Sequence, residues 1–201
     1  MMLAQAIETL VQEDRVHRDL YLSERLFALE QQRLFARTWL FAGHLSQVPE
    51  AGDYVLVTLA GRPLLLVRQD DGSVRVLHNR CAHKGAPLVS SPSGKVGRSL
   101  RCPYHAWSYR LDGSLLGVPL KQAYDGTGLS GCEAARGLAS VGATAVHRDF
   151  IFVRLAPAGI GFEDYFGPAL SAIDDLVDRS PTGRLVVAGG VIRNTVGCNW
   201  K

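Results

Sequence analysis

The chain has 201 residues, with 22 basic against 19 acidic side chains and a formal net charge of +3. Hydrophobic residues make up 47% and charged ones 20%, the balance of an ordinary globular domain with appendages. So weak and mixed a charge argues against a nucleic-acid surface. No apolar run exceeds the scale of Leu64-Leu65-Leu66-Val67, far short of the ~20 residues of a spanning helix. The amino terminus Met1-Met2-Leu3-Ala4-Gln5 lacks a basic start, and Glu8, Glu13 and Asp14 interrupt the next ten residues. It does not read as a secretory signal. The expectation is a cytoplasmic protein without a membrane or nucleic-acid partner, in which free thiols are at home.

Residues 1–36 are expected to be helical. Ala6, Leu10 and Val11 share one face, and Leu26, Phe27, Leu29, Glu30, Leu34 and Phe35 form a second amphipathic stretch with Ser23 as its N-cap. From Trp39 the texture becomes that of short strands. Strands are expected over 39–44, 54–59, 64–68 and 74–77, with turns at Ala60-Gly61-Arg62-Pro63 and Asp70-Asp71-Gly72. A first Cys/His run, Arg80-Cys81-Ala82-His83-Lys84-Gly85, comes directly after. Ser90-Ser-Pro-Ser-Gly94 reads as a polar connection, and 99–101 leads into a second run, Arg101-Cys102-Pro103-Tyr104-His105. A further hairpin is expected from 106–110 and 115–118 around Leu111-Asp112-Gly113-Ser114. Residues 119–146 read as an irregular connection, with 141–147 and 150–154 closing the set of strands. After Ala156-Pro157-Ala158-Gly159, Phe162, Tyr165, Phe166, Leu170, Ile173, Leu176 and Val177 predict one helix over 162–178. Residues 184–196 look strand-like. The fold expected is mainly β: an antiparallel β-sandwich over 39–155 with both Cys/His runs at one end, helices over 1–38, and a separate segment over 156–201.

The two runs carry the chemistry. Each pairs a thiol with an imidazole, Cys-x-His in the first and Cys-x₂-His in the second, and eighteen residues separate His83 from Cys102. Two Cys and two His are the ligand set of a Rieske [2Fe–2S] centre. Soft thiolates hold the iron that stays ferric, and neutral imidazoles leave the other iron easier to reduce. Cys81, His83, Cys102 and His105 are therefore the candidate ligands. Two other readings stay open on spacing alone. A structural zinc site also takes S₂N₂ donors, though zinc fingers pair like with like. Alternatively, two buried cysteines stand beside two surface histidines by coincidence. His17, His44, His78 and His147 are scattered and read as surface or core imidazoles, and Cys132 and Cys198 as buried inert thiols.

Cys81-Ala-His83-Lys-Gly85-Ala-Pro-Leu and Cys102-Pro-Tyr-His105-Ala-Trp107-Ser-Tyr resemble the Rieske arms of ring-hydroxylating non-heme iron oxygenase α subunits. The resemblance runs from about Phe27 to Lys201. Rieske proteins of respiratory and photosynthetic complexes carry an extra Cys in each arm; here Gly85, Ala86 and Pro103 stand in those neighbourhoods. Trp107 and Trp39 favour the oxygenase over a stand-alone Rieske-type ferredoxin, as do the N-terminal helices and the tail through Trp200. A zinc-stabilised interaction module is the third possibility.

The resemblance implies a [2Fe–2S] electron relay on Cys81, His83, Cys102 and His105, reduced by a reductase or ferredoxin. It implies a second domain of α+β type with a mononuclear Fe(II) on two His and one carboxylate, where O₂ meets an aromatic ring. It implies a homotrimer, or an α3β3 assembly with a small β subunit, in which His105 would reach an acidic residue of the neighbouring subunit. Asn199-Trp200-Lys201 resembles the approach to that second domain, and no Asp-x₂-His-x₃₋₅-His run occurs in the chain. Residues 156–201 are thus expected to be the start of an incomplete catalytic domain, and the polypeptide alone to be reducible but unable to hydroxylate. Beside the ligands, Gly85 is either a turn glycine or a point of backbone approach to the sulfides. Lys84 is solvated or faces an acidic donor, Pro87 and Pro103 stiffen the arms, and Trp107 and Tyr109 pack beneath them as core.

Overall fold

The computed structural model describes residues 7–127, 136–189 and 194–201. Among these, the strands form three antiparallel sheets. The central sheet has the order β4-β3-β2-β5, from β2 (Asp53–Leu59), β3 (Arg62–Arg68), β4 (Val74–His78) and β5 (Ser93–Lys95). A second sheet joins β1 (Leu40–His44), β10 (Phe150–Arg154) and β9 (Ala143–His147) in the order β1-β10-β9. The third joins β6 (Leu100–Arg101), β7 (Ser108–Tyr109) and β8 (Leu115–Gly117) in chain order.

Strand β3 explains why the chain spends a continuous apolar run at one place. Leu64, Leu65, Leu66 and Val67 are all buried, and alternate side chains of a strand point to opposite faces. Leu65 and Val67 pack into one core with Trp107, Tyr109, Cys81 and Cys102. Leu64 and Leu66 pack into the other with Ile151 and Val153. The central sheet is thus covered on both faces, by the arms on one side and by the β1-β10-β9 sheet on the other. Each such leucine contributes about 1.5–3 kcal/mol of burial free energy. The β2–β3 turn is tight: Leu59 pairs with Arg62, and Ala60 and Gly61 both adopt positive φ, the backbone a two-residue hairpin demands.

Several expectations need correction. Of the stretch expected to be helical, residues 1–6 with Ala6 lie outside the described residues, and 7–36 are not one helical region. Ile7 and Glu8 are helical, Val11 and Val16 meet in an isolated antiparallel bridge, and further on come α1 (Asp19–Leu22) and α2 (Glu24–Glu30), followed by a π turn at Gln31–Phe35. Ser23 does cap α2, its Oγ accepting from the Leu26 N–H at 3.4 Å. The helix expected over 162–178 is two, α3 (Phe162–Phe166) and α4 (Leu170–Asp178). Between them Gly167 turns to φ +49, and Pro168 has no amide hydrogen to continue the ladder. The described part of 184–196 forms no strand. Instead the Val187 N–H donates to Ser46 Oγ at 3.0 Å, because an alternating pattern needs a partner edge to become a strand. Conversely, β5 lies in the stretch read as a polar connection and pairs Ser93, Gly94 and Lys95 with β2. The chain end folds back on the amino-terminal helices: Trp200 Nε1 donates to Glu30 Oε2 at 2.8 Å and Asn199 Nδ2 to the Tyr21 carbonyl at 2.7 Å. Among the described residues no helix is long and apolar enough to cross a membrane.

The two arms are backbone copies of each other. The Cys81 N–H donates to the Ala86 carbonyl and the Cys102 N–H to the Trp107 carbonyl, both at 2.8 Å. Within each ring a second bond returns to the cysteine carbonyl, from Gly85 N–H at 2.9 Å and from Ala106 N–H at 3.0 Å. The residue making that return has positive φ in both arms, +76 at Gly85 and +56 at Ala106. Gly85 thus serves as a turn glycine. Asn79, 5% exposed, fastens the far side of the first arm. Its Oδ1 accepts from Leu88 N–H at 2.9 Å and Val89 N–H at 3.1 Å, and its Nδ2 donates to the Val89 carbonyl at 2.8 Å.

This copy has an asymmetry that can be measured. An L-residue with a Cβ pays about 1–2 kcal/mol in the left-handed region, whereas glycine does not. Ala106→Gly should raise the urea midpoint by the equivalent of about 0.5–1 kcal/mol and Gly85→Ala should lower it by about 1–2 kcal/mol. Equal effects of the same sign would show that the two arms do not share this backbone.

Candidate metal centre

Strand β4 delivers the first arm and strands β6 and β7 flank the second, so both cysteines sit at strand ends over the buried core. Cys81 and Cys102 are each 3% exposed. The His83 and His105 rings lie side by side, 4.8 Å between centroids and 69° between planes. Beneath His83 the Trp107 indole is parallel to the imidazole within 3°, at 4.8 Å. Tyr104, 63% exposed, lies over His105 with centroids 3.7 Å apart. The structure thus brings all four candidate ligands to one end of the sandwich.

The polar atoms around this cluster of donors are arranged for negative charge on sulfur. Tyr109 Oη is 3.0 Å from Cys81 Sγ and accepts from the Ala82 N–H at 3.1 Å. Either atom of the Tyr109–Cys81 pair can donate; were Cys81 a thiolate, the phenol hydrogen would be the donor. Burial, and next the neighbouring Cys81 sulfur, push the Tyr109 hydroxyl far above its ordinary value, so it stays a donor. His83 is held below the usual histidine value by burial, then by His105, Lys84 and Arg136, which favours the neutral ring a metal binds. His105 Nδ1 is buried and has no hydrogen-bond partner among the described residues. An orphaned buried nitrogen beside two buried thiols is what a metal group would satisfy. Among the described residues no three His, Cys, Asp or Glu side chains gather as a single ion would need. A two-iron Rieske cluster takes its protein donors two per iron, two Cys on one and two His on the other.

The remaining histidines have other employment. His44 is 3% exposed and its Nδ1 lies 2.9 Å from Ser46 Oγ. His147 Nε2 lies 2.9 Å from Asp174 Oδ1. His17 is exposed, 3.6 Å from Asp19, and His78 ends β4. Cys198 is exposed rather than buried, against expectation, and Cys132 falls outside the described residues. Lys84 is exposed. Trp107 and Tyr109 are core, as expected, at 1% and 0% exposure. Trp39 is structural, its Nε1 donating to the Ile160 carbonyl at 3.1 Å with Phe162 against its edge. Sequence reasoning missed the role of Asn79 and the hydroxyl of Tyr109. The first gives itself away only as an amide side chain at the root of an arm; the second lies two residues beyond Trp107 and so shares its face.

Comparison with known proteins agrees with this geometry. Residues 38–136 match the Rieske [2Fe-2S] domain. The chain is 35% identical over 192 residues to the anthranilate 1,2-dioxygenase large subunit of Acinetobacter baylyi, covering 93% of this chain and 39% of that one. It is 33% identical over 202 residues to the biphenyl dioxygenase subunit alpha of Paraburkholderia xenovorans, covering 98% of this chain and 44% of that one. Its fold superposes on naphthalene 1,2-dioxygenase from Rhodococcus sp. with a TM-score of 0.76 at 29% identity, over 90% of this chain and 40% of that one. The chain spans less than half the length of these relatives. Residues 38–136 are thus a Rieske [2Fe-2S] domain, and over nearly all of its length the chain is similar to part of the aromatic-ring dioxygenase α subunits.

Proposed function

We propose that the chain is the electron-relay portion of an aromatic-ring-hydroxylating oxygenase, with Cys81, Cys102, His83 and His105 holding one [2Fe–2S] cluster. The observation that carries this is the pair of arms, closed by the same hydrogen bonds, each presenting one buried thiol and one imidazole. When bound, the cluster supplies a one-electron carrier of higher potential than an all-cysteine ferredoxin. The protein's own part is to hold the donors and set their surroundings. Tyr109 donates to the Cys81 sulfur and stabilises charge there. The core under the arms, with Leu65, Val67, Leu100 and Trp107, keeps water from the sulfurs.

The division of the chain follows the same reading: an amino-terminal segment over 1–38, the Rieske domain over 39–155, and over 156–201 the lead into a second domain such as the longer relatives have room for. That domain would carry the mononuclear iron and the chemistry on the ring. A cytoplasmic setting, where thiols stay reduced, suits the two cysteine ligands. In a trimer, with or without a small β subunit, His105 would face a carboxylate of the next subunit. The electron donor is a reductase or ferredoxin, and charge supports an acidic one. Between Asp71 and Asp112 the sequence has no acidic residue, yet it carries Arg75, Arg80, Lys84, Lys95, Arg98, Arg101 and Arg110. Arg80, Lys84 and Arg101 are exposed beside the arms.

Iron-loaded protein should be red-brown, contain two irons and two acid-labile sulfides per chain, and give a rhombic EPR signal of low average g after dithionite. Cys102→Ser should be colourless. A colourless wild-type protein that binds zinc instead would contradict the proposal. Tyr109→Phe should keep its colour and show a lower midpoint potential, because a donor to sulfur stabilises the reduced state; a potential equal to or above wild type would refute that bond. Lys84→Glu should slow reduction by an acidic ferredoxin by about an order of magnitude at low ionic strength, the difference shrinking as salt is added. Stopped-flow traces that superpose at every salt concentration would place the donor elsewhere.

A further inference from the structure

The connection after β8 is exposed at every position from 119 to 127 except one, Tyr124, which turns inward. There it meets the wall of the first arm. The Trp107 indole N–H, at a residue only 1% exposed, donates to Tyr124 Oη at 3.3 Å. The Tyr124 ring stands edge-on to both partners, at 83° to Trp107 and 85° to His83, with centroids 6.0 and 5.9 Å away. His83 and Trp107 are themselves parallel. The imidazole thus has an indole stacked on it and a perpendicular phenol on an adjacent side, while the phenol oxygen holds the rotation of the indole. The backbone is held to present this ring: Leu120 enters the turn at φ +52, and the Tyr124 carbonyl accepts from Thr127 Oγ1 at 2.6 Å and from Thr127 N–H at 3.1 Å.

The geometry points to Tyr124 as a positioning residue for His83, acting through Trp107 and lying outside both Cys/His arms. Resting on the reading of His83 as a cluster ligand, it extends the site to the connection between β8 and β9. Ring orientation of a ligating histidine is set by what surrounds it, and aromatic pairs have preferred offset-stacked and edge-to-face arrangements. Removing the hydroxyl leaves a buried indole N–H unpaired and frees the stack to rotate. Removing the whole ring takes away one wall as well.

The test uses the iron-loaded protein and three variants. Tyr124→Phe should shift or broaden the EPR line of the reduced cluster and speed iron release to a chelator about fivefold, the effect of one ordinary hydrogen bond. Tyr124→Ala should change both further. Gln122→Ala, an exposed neighbour in the same turn, should match wild type. If Tyr124→Phe and Tyr124→Ala merely melt earlier, with wild-type EPR and release rates, Tyr124 is only a packing residue and the inference is overturned. If wild-type protein gives no Rieske signal at all, the reading of the four ligands has failed instead. Tyr124→Phe is mild enough to fold even where Tyr124→Ala is not.

Discussion

A small ring of backbone hydrogen bonds governs everything else in this molecule. Each arm leaves the core at a cysteine, turns through one left-handed residue and comes back to bond that cysteine's own amide and carbonyl. The turn fixes where the following imidazole stands relative to the thiol. Because the ring is built from main-chain groups, side chains within it are free to differ: Ala-His-Lys-Gly in one arm, Pro-Tyr-His-Ala in the other. One residue more in the second arm's Cys-to-His spacing is taken up inside the same closure, which spans from Cys81 to Ala86 and from Cys102 to Trp107.

Rings of this kind hold their shape only on a rigid base, and the three-layer arrangement provides one. Strand β3 sits in the middle with apolar side chains on both faces, so neither core can shift without disturbing the other. The face toward the arms ends in Trp107 and Tyr109, and these two side chains connect packing to chemistry. Trp107 lies flat beneath His83, and Tyr109 directs its hydroxyl to the Cys81 sulfur. A buried thiolate is costly in an apolar setting unless it is hydrogen-bonded. With a metal held on Cys81, Tyr109 would offset that cost, and its raised pKa keeps the proton on oxygen.

The arms were readable from residue identity and spacing because the ligand chemistry demands those side chains in that order. The strands were readable where one face is polar and where turn residues are explicit, as at Asp70-Asp71-Gly72. Elements that depend on distant partners were not. Strand β5 exists because β2 offers an edge, although Ser93, Gly94 and Lys95 have no strand character of their own. The stretch after Arg184 has that character and finds no such edge among the described residues. The helix over 162–178 kept its apolar spacing across Gly167-Pro168, and periodicity alone carries no warning that the backbone breaks there. Asn79, Tyr109 and Tyr124 contribute through single polar atoms whose partners lie elsewhere in the chain, from 9 residues away for Asn79 and Leu88 to 28 for Tyr109 and Cys81. No local pattern marks such a partnership.

The central claim is that each arm supplies one sulfur and one nitrogen to a shared two-iron group. Pulsed EPR on the dithionite-reduced, iron-loaded protein, with and without isotopically labelled histidine, examines it directly. Two distinct histidine nitrogens should be strongly coupled to the unpaired electron, one from His83 and one from His105. A spectrum with no coupled histidine nitrogen, or with only one, would contradict the account.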